Sequence, residues 1–369
     1  MDIAQRMNLK MFFLVFFVSL NSYYFYSIKL PVFSLIGAVG IFFVFAFHQK
    51  KIFLSELCFA LILLAINVFS IIGTLISDQN TSINIKSNGG CLILIFLLVA
   101  LLTVSDYKEY KKFLIGLIVI HSFFFYINFI GYYFFHHYID FLKAFTGEAQ
   151  RYNLGSSFFI RPTGLFNEPA TYAEFILLCT LPLLKEKTSF SKWIVFIGLM
   201  SVFLSFSLMG LIFLAMILAY FFKKMIFKNK IWALIFLMLV YFIFHKYIDA
   251  IAIKLFSKFH EGGDSDGRFS IFKNFDFASF NFYTLFFGPI NFYAIFPLSS
   301  NLALFIHLFG FLGTFMLLCA FIYFFYQDFF DLLFVIITFL GIPIFIYPFY
   351  AVFIAGMFFA KREIKERGI

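Results

Sequence analysis

Long apolar runs, broken by short polar stretches that carry lysine, follow one another along almost the whole chain. An α-helix rises 1.5 Å per residue, so roughly 20 apolar residues cross a hydrocarbon core about 30 Å thick, and lysine and arginine gather in the short cytoplasmic loops. Together these rules predict helices over 9–28, 31–47, 52–77, 88–104 and 113–135, with Lys50, Lys51, Lys108, Lys111 and Lys112 marking the inside. A polar stretch at 136–168 then lies outside, and 169–184 returns to Lys185, Lys187 and Lys192. The next run, 193–222, could cross once, but that would leave Lys223, Lys224, Lys228 and Lys230 outside. Two short crossings of about 22 Å each, hinged near Ser205–Gly210, keep them inside. The same argument divides 332–360 near Gly341, Pro343 and Pro348 and keeps Lys361, Arg362, Lys365 and Arg367 inside. With 231–247 and 301–325 the total is about 12 transmembrane helices, with both termini cytoplasmic. The expected class is an all-α polytopic membrane protein, one integral domain over 1–369 whose only sizeable external loops are 136–168 and 246–298. Loops that long usually carry function or are disordered.

Composition agrees with that pattern. The chain is 63% apolar and 13% charged, where a soluble domain carries about 25% charged residues, so soluble, disordered, collagenous and disulfide-scaffold classes are excluded. Phenylalanine accounts for 66 of 369 residues and occurs in every apolar run, as expected of lipid-facing filler rather than of a cofactor site. A net charge of +9 raises the question of nucleic acid, but in a membrane protein it reports topology, and no nucleic-acid partner is expected. Cys58, Cys91, Cys179 and Cys319 all lie in apolar runs, so neither a disulfide framework nor a metal site is expected. Arg6 and Lys10 precede the first run as in a signal peptide, but no small-residue cleavage site follows and the run reads as a retained helix.

Arginine departs from the lysine pattern. Arg6, Arg362 and Arg367 sit at cytoplasmic ends, whereas Arg151, Arg161 and Arg268 fall in the external segments, against the topological trend. A guanidinium is a planar fork that grips phosphate or carboxylate through paired hydrogen bonds, which points to an anion clamp on the outer face. The most informative stretch runs from Arg161 through Pro162, Gly164, Asn167, Glu168 and Pro169 to Glu174. Pro169 suits the first turn of a helix with Glu168 at its cap, so the helix N-terminus and Arg161 would face one anionic group. Glu168 can accept a proton there, or it can cap the helix and pair with Arg161; the sequence is consistent with both. Glu174 lies deeper in the same helix and about 120° round from Glu168, so the two cannot share a face. The stretch His260–Arg268 has the acidic and glycine content of a calcium loop but neither its spacing nor its closing glutamate. No phosphate-binding glycine loop, GxSxG elbow or HExxH motif is present.

The sequence R-x-x-G-x-x-x-E-P, carried by Arg161, Gly164, Glu168 and Pro169, resembles bacterial O-antigen polymerases of the Wzy type, as does the expected topology. The stretch from Asn301 to Gly310 and Gly313 is similar to the helix that follows the second loop in that superfamily. Related O-antigen ligases end that loop in a His-Asn pair, whereas Ser300 precedes Asn301 here, which favours the polymerase over the ligase. The resemblance implies an inner-membrane enzyme joining undecaprenyl-pyrophosphate-linked repeat units at the periplasmic face, without metal or other cofactor. Glu168, Arg161 and Arg268 would be its catalytic residues, with Arg151, Gly164, Asn167, Tyr172 and Asn301 around the substrate. A chain-length regulator and a flippase of the same pathway would be its partners. From a different class, a lipid-linked oligosaccharide flippase could also use external arginines, but it would be expected to carry charge near the membrane midplane.

Overall fold

Where the described residues cover the apolar runs, the chain is helical. The computed structural model describes residues 3–20, 32–47, 52–76, 82–104, 106–146, 150, 160–186, 191–228, 301–341 and 349–366. Twelve helices occur among them: α1 (Ile3–Ser19), α2 (Val32–Phe47), α3 (Leu54–Ile76), α4 (Ser82–Val104), α5 (Tyr107–Phe135), α6 (Phe141–Thr146), α7 (Pro169–Glu186), α8 (Ser191–Leu204), α9 (Leu208–Lys228), α10 (Asn301–Phe324), α11 (Phe329–Leu340) and α12 (Tyr350–Glu366). No strand occurs among the described residues. This total is not the expected count of crossings, because α6 is a six-residue turn of helix and the crossing expected at 231–247 lies outside the described residues. Among the described residues, three helices are long and apolar enough to cross a membrane: Leu54–Leu75, Tyr107–Phe135 and Asn301–Phe324. Shorter apolar helices accompany them.

Observed helix ends differ from the hydropathy boundaries where a polar group offers a cap. Asp106 accepts the Glu109 N–H at 2.9 Å, so α5 starts six residues ahead of its expected apolar span, at Tyr107 rather than 113. At the far end of α5, His136 takes a left-handed conformation (φ 54°) and closes the helix. The long run 193–222 is broken at 205–207, where Phe206 has φ 52° and the Ser207 hydroxyl accepts the Gly210 N–H. Gly341 ends α11, dividing the run 332–360 as expected.

Cross-helix contacts fix the direction of each helix. Gly198 of α8 packs on Ile176 and Thr180 of α7, and Ser201 meets Tyr172, so α8 runs antiparallel to α7. Gly210 of α9 packs on Ala173, and Tyr220 stacks on Phe329 at 4.3 Å, so α9 turns back alongside α7. The α8–α9 pair is thus a hairpin that returns Lys223 and Lys224 to the end of the bundle where α7 finishes at Lys185. The α11–α12 pair is a second one: α11 rises from Asp328, beside Lys185, to Gly341, beside Glu174, and α12 descends to Lys361.

The core is largely apolar, and so is much of the exposed surface. Leu54, Trp193 and Phe135 are 76%, 75% and 74% exposed, while Glu56, Asn67, Ser70, His121, Asn128, Glu174, Lys185 and Asp331 are buried. Apolar side chains on the outside and paired polar ones between helices are what a lipid surround selects. Lys185 bonds Asp331 at 2.5 Å and Asp328 at 3.2 Å, and Arg362 forms a two-pronged pair with Glu56 while lying over the Phe53 and Phe359 rings. Both ionic groups sit at the same end, joining the finish of α7, the starts of α11 and α3 and the finish of α12. At the centre, α12 and α7 pack on one another, with Phe175 edge-on to Phe353 at 5.3 Å and Gly356 against Pro182.

Candidate functional site

The turn from Arg161 to Glu168 lies at the end of the bundle opposite Lys185 and is held by polar side chains of α5 and of the segment after it. Tyr133 donates its hydroxyl to the Ile160 carbonyl at 3.0 Å. The Gln150 side-chain amide donates to the Gly164 carbonyl at 2.8 Å and to the Phe166 carbonyl at 3.0 Å, and Asn128 adds a longer bond to Gly164 at 3.4 Å. Gln150 is itself fixed: Tyr138 donates to its Oε1 at 2.7 Å, and its backbone N–H donates to Asp140 Oδ2 at 2.9 Å. The other Asp140 oxygen caps α6 through the Lys143 N–H. The turn closes internally by the Phe166 N–H donating to the Thr163 carbonyl at 3.0 Å.

Gly164 allows this turn to sit directly on α5. Its φ is +59°, and a Cβ there would lie 3.2 Å from the Phe125 nitrogen and 3.3 Å from the His121 carbonyl oxygen. Two residues on, the Phe166 ring is buried against His121 and Phe175, both with centroids at 5.0 Å, and plugs the turn into the core. The chain then enters α7 at Pro169, with the Glu168 carbonyl accepting the Tyr172 N–H at 3.1 Å as the first helical bond. The expected cap is therefore where the helix begins. Arg161, Asn167 and Glu168 are each half-buried.

Two residues expected around the substrate, Tyr172 and Asn301, lie in the interior. Tyr172 has no exposed surface: its ring stacks on Phe125 at 4.7 Å, and its hydroxyl donates to Ser201 at 2.6 Å, which ties α7 to α8. Asn301 is also fully buried, as the first residue of α10, and its N–H donates to the Gly341 carbonyl at 2.9 Å. That bond matters for architecture. Glu174 of α7 lies against Gly341, leaving only 2.4 Å between its Oε1 and a Cβ placed there. The start of α10 is thereby joined, through the end of α11, to the second turn of α7. Arg151 and Arg268, and the external segment over 246–298, lie outside the described residues.

Reading the sequence for charge missed Gln150, Asn128, Tyr133 and Tyr138, which hold the turn without any motif. The available signal was weak: an amide within or beside an apolar helix seeks a partner. No protein-family model matches the chain, and neither the curated proteins nor the solved structures supply a match.

Proposed function

We propose that this chain is a membrane glycosyltransferase, an O-antigen polymerase of the Wzy type that joins undecaprenyl-pyrophosphate-linked repeat units at the periplasmic face of the inner membrane. The observation that carries the reading is the seating of Arg161 and Glu168 on a turn pinned by polar side chains, at the bundle end opposite the Lys185 and Arg362 pairs. The helix that follows the second external segment starts at that same end, at Asn301. On the positive-inside rule the lysine end is cytoplasmic, which turns the Arg161 end to the periplasm.

In the transfer, a hydroxyl of the acceptor's terminal sugar attacks the anomeric carbon of the donor glycan. The new glycosidic bond forms as the bond to the pyrophosphate oxygen breaks, and undecaprenyl pyrophosphate leaves with the electron pair. Arg161, with Arg268 and Arg151 from the external segments, holds the pyrophosphate and stabilises its developing charge. Glu168 either takes the hydroxyl proton or orients Arg161. Gly164 supplies the close approach to α5, and Asn167 a polar group beside Glu168. Because the donor already holds the energy of its pyrophosphate linkage, the scheme needs neither ATP nor a metal.

The placement of buried charge favours transfer over transport. Among the described residues, Lys185 with Asp328 and Asp331, and Arg362 with Glu56, are paired at one end of the bundle, and buried Glu174 lies apart from them beside Gly341, so these groups do not line up as a charged path along it. Purified protein in liposomes with lipid-linked repeat units tests the proposal by yielding longer lipid-linked glycans. Arg161→Ala, Arg268→Ala and Arg268→Lys each abolish or strongly reduce extension at unchanged abundance. Wild-type extension in all three sinks the clamp. Flipped lipid with no longer glycans makes the protein a transporter, and transfer only to a lipid A-core acceptor makes it a ligase.

A further inference from the structure

Gln150 is buried, and its side-chain amide spends both donors on carbonyls that lie between Arg161 and Glu168. A peptide unit is planar and trans, so its C=O and the following N–H point in opposite directions. With the Gly164 and Phe166 carbonyls both turned to Gln150, the N–H groups of Leu165 and Asn167 are both turned away from it. One side chain therefore sets two peptide planes of the turn. Its own orientation is not free, since the Tyr138 hydroxyl donates to Oε1 at 2.7 Å and so leaves Nε2 to face the turn.

We infer that Gln150 is a positioning residue for the proposed transfer, setting the peptide planes of the Gly164–Asn167 turn and, through them, the seats of Arg161 and Glu168. The inference rests on the polymerase reading. Docking of α5 on α7 does not depend on this amide, because the Phe125–Tyr172 stack joins the two helices directly. Loss of the Gln150 donors should thus loosen the turn and leave the bundle assembled.

Gln150→Glu is the sharpest probe. It has nearly the same shape and keeps an acceptor for Tyr138, but its carboxyl offers the two carbonyls at most one proton, and none when ionised. The measurement is the affinity of the full-length protein in nanodiscs for undecaprenyl pyrophosphate alone, in four forms: unsubstituted, Gln150→Glu, Arg161→Ala, and both. Gln150→Glu should weaken binding on the order of tenfold when Arg161 is present and less than about twofold when it is absent, since the amide acts through the arginine's position. Amide hydrogens of 163–168 should exchange about tenfold faster in Gln150→Glu, with those of 173–183 unchanged. Tyr138→Phe, which removes the hydroxyl that orients the amide together with its longer contacts to Asn128 and Thr163 at 3.4 Å, should move both readouts in the same direction by a smaller factor. It also decides the matter should Gln150→Glu fail to fold. Unchanged affinity, equal loss in both arginine backgrounds, or exchange that quickens equally through α7 overturns the positioning role alone. If the unsubstituted protein does not bind undecaprenyl pyrophosphate, the polymerase reading and the role both fall.

Discussion

Gly164 has the most exacting geometry of any residue in the turn. At φ +59° an alanine would pay about 1–2 kcal/mol for the left-handed conformation, and its Cβ would press on the α5 backbone at 3.2–3.4 Å. Gly164→Ala should therefore lower unfolding stability in mixed micelles by at least that amount and reduce chain extension, while Gly89→Ala, where a Cβ meets nothing, should do neither. Denaturation with the extension assay checks both. The residues legible beforehand were those with charge or unusual backbone freedom: Arg161 and Glu168 stand out in an apolar chain, and Pro169 marks a helix start. Tyr172 lies inside the bundle, which its place in the sequence does not reveal, because an aromatic in the first turn of a helix looks the same whether it faces a ligand or a core. Its partner Ser201 lies on another helix, and nothing local points to it.

Among the elements, α10 is the one whose shape hydropathy does not foretell. Its apolar run is continuous, yet Gly310 takes φ 66° and ψ −176°, a region only glycine occupies readily, and the helical ladder is interrupted there. The interruption is satisfied by partners: Ser70 of α3 donates to the Leu308 carbonyl, Asn88 of α4 accompanies it, and Thr314 donates to the Gly310 carbonyl at 2.6 Å. Gly310→Ala should cost about 1–3 kcal/mol by forcing a side chain into that conformation, read as a lowered midpoint in thermal unfolding. The α7–α11 junction gives a larger effect. Asp331 is fully buried and Lys185 nearly so, so Lys185→Ala strands a carboxylate and should cost about 3–5 kcal/mol. Lys185→Ala with Asp331→Ala should recover part of that loss in the same unfolding measurement, because neither charge is then left alone. The break within 193–222 and that near Gly341 were legible because lysine placement demanded them. Gly310 was not, because it changes neither which end α10 starts from nor where it finishes.

At the scale of the whole molecule, alternation of direction is the main regularity. Contacts run α1 beside α5 in one sense (Phe12 on Gly116, Ser19 on His121) and α2 against α1 in the other (Gly37 on Val18, Gly40 on Leu14). Continuing through α3, α5, α8 and α11 in one direction and α4, α7, α9, α10 and α12 in the other, Lys108, Lys111, Lys112, Lys185, Lys192, Lys361 and Lys365 fall at one end, whereas Lys143 of α6 lies at the other. Hydropathy and lysine placement anticipated this layout, since both follow from the cost of taking backbone and charge into lipid. What they could not supply is which helices touch, because side chains facing lipid and side chains facing another helix are equally apolar here. The layout makes a strict prediction about sidedness. In a cysteine-free background, Lys228→Cys and Lys365→Cys should react with an impermeant maleimide only after the membrane is opened, and His137→Cys should react in intact spheroplasts. His137 follows α5 at the Gly164 end, whereas Lys228 and Lys365 close α9 and α12 at the lysine end, so the three labels must partition two against one. Labelling of Lys228→Cys from outside would break the α8–α9 hairpin. Reversal of all three would keep the fold but turn Arg161 and Glu168 to the cytoplasm, where no periplasmic glycan transfer could use them.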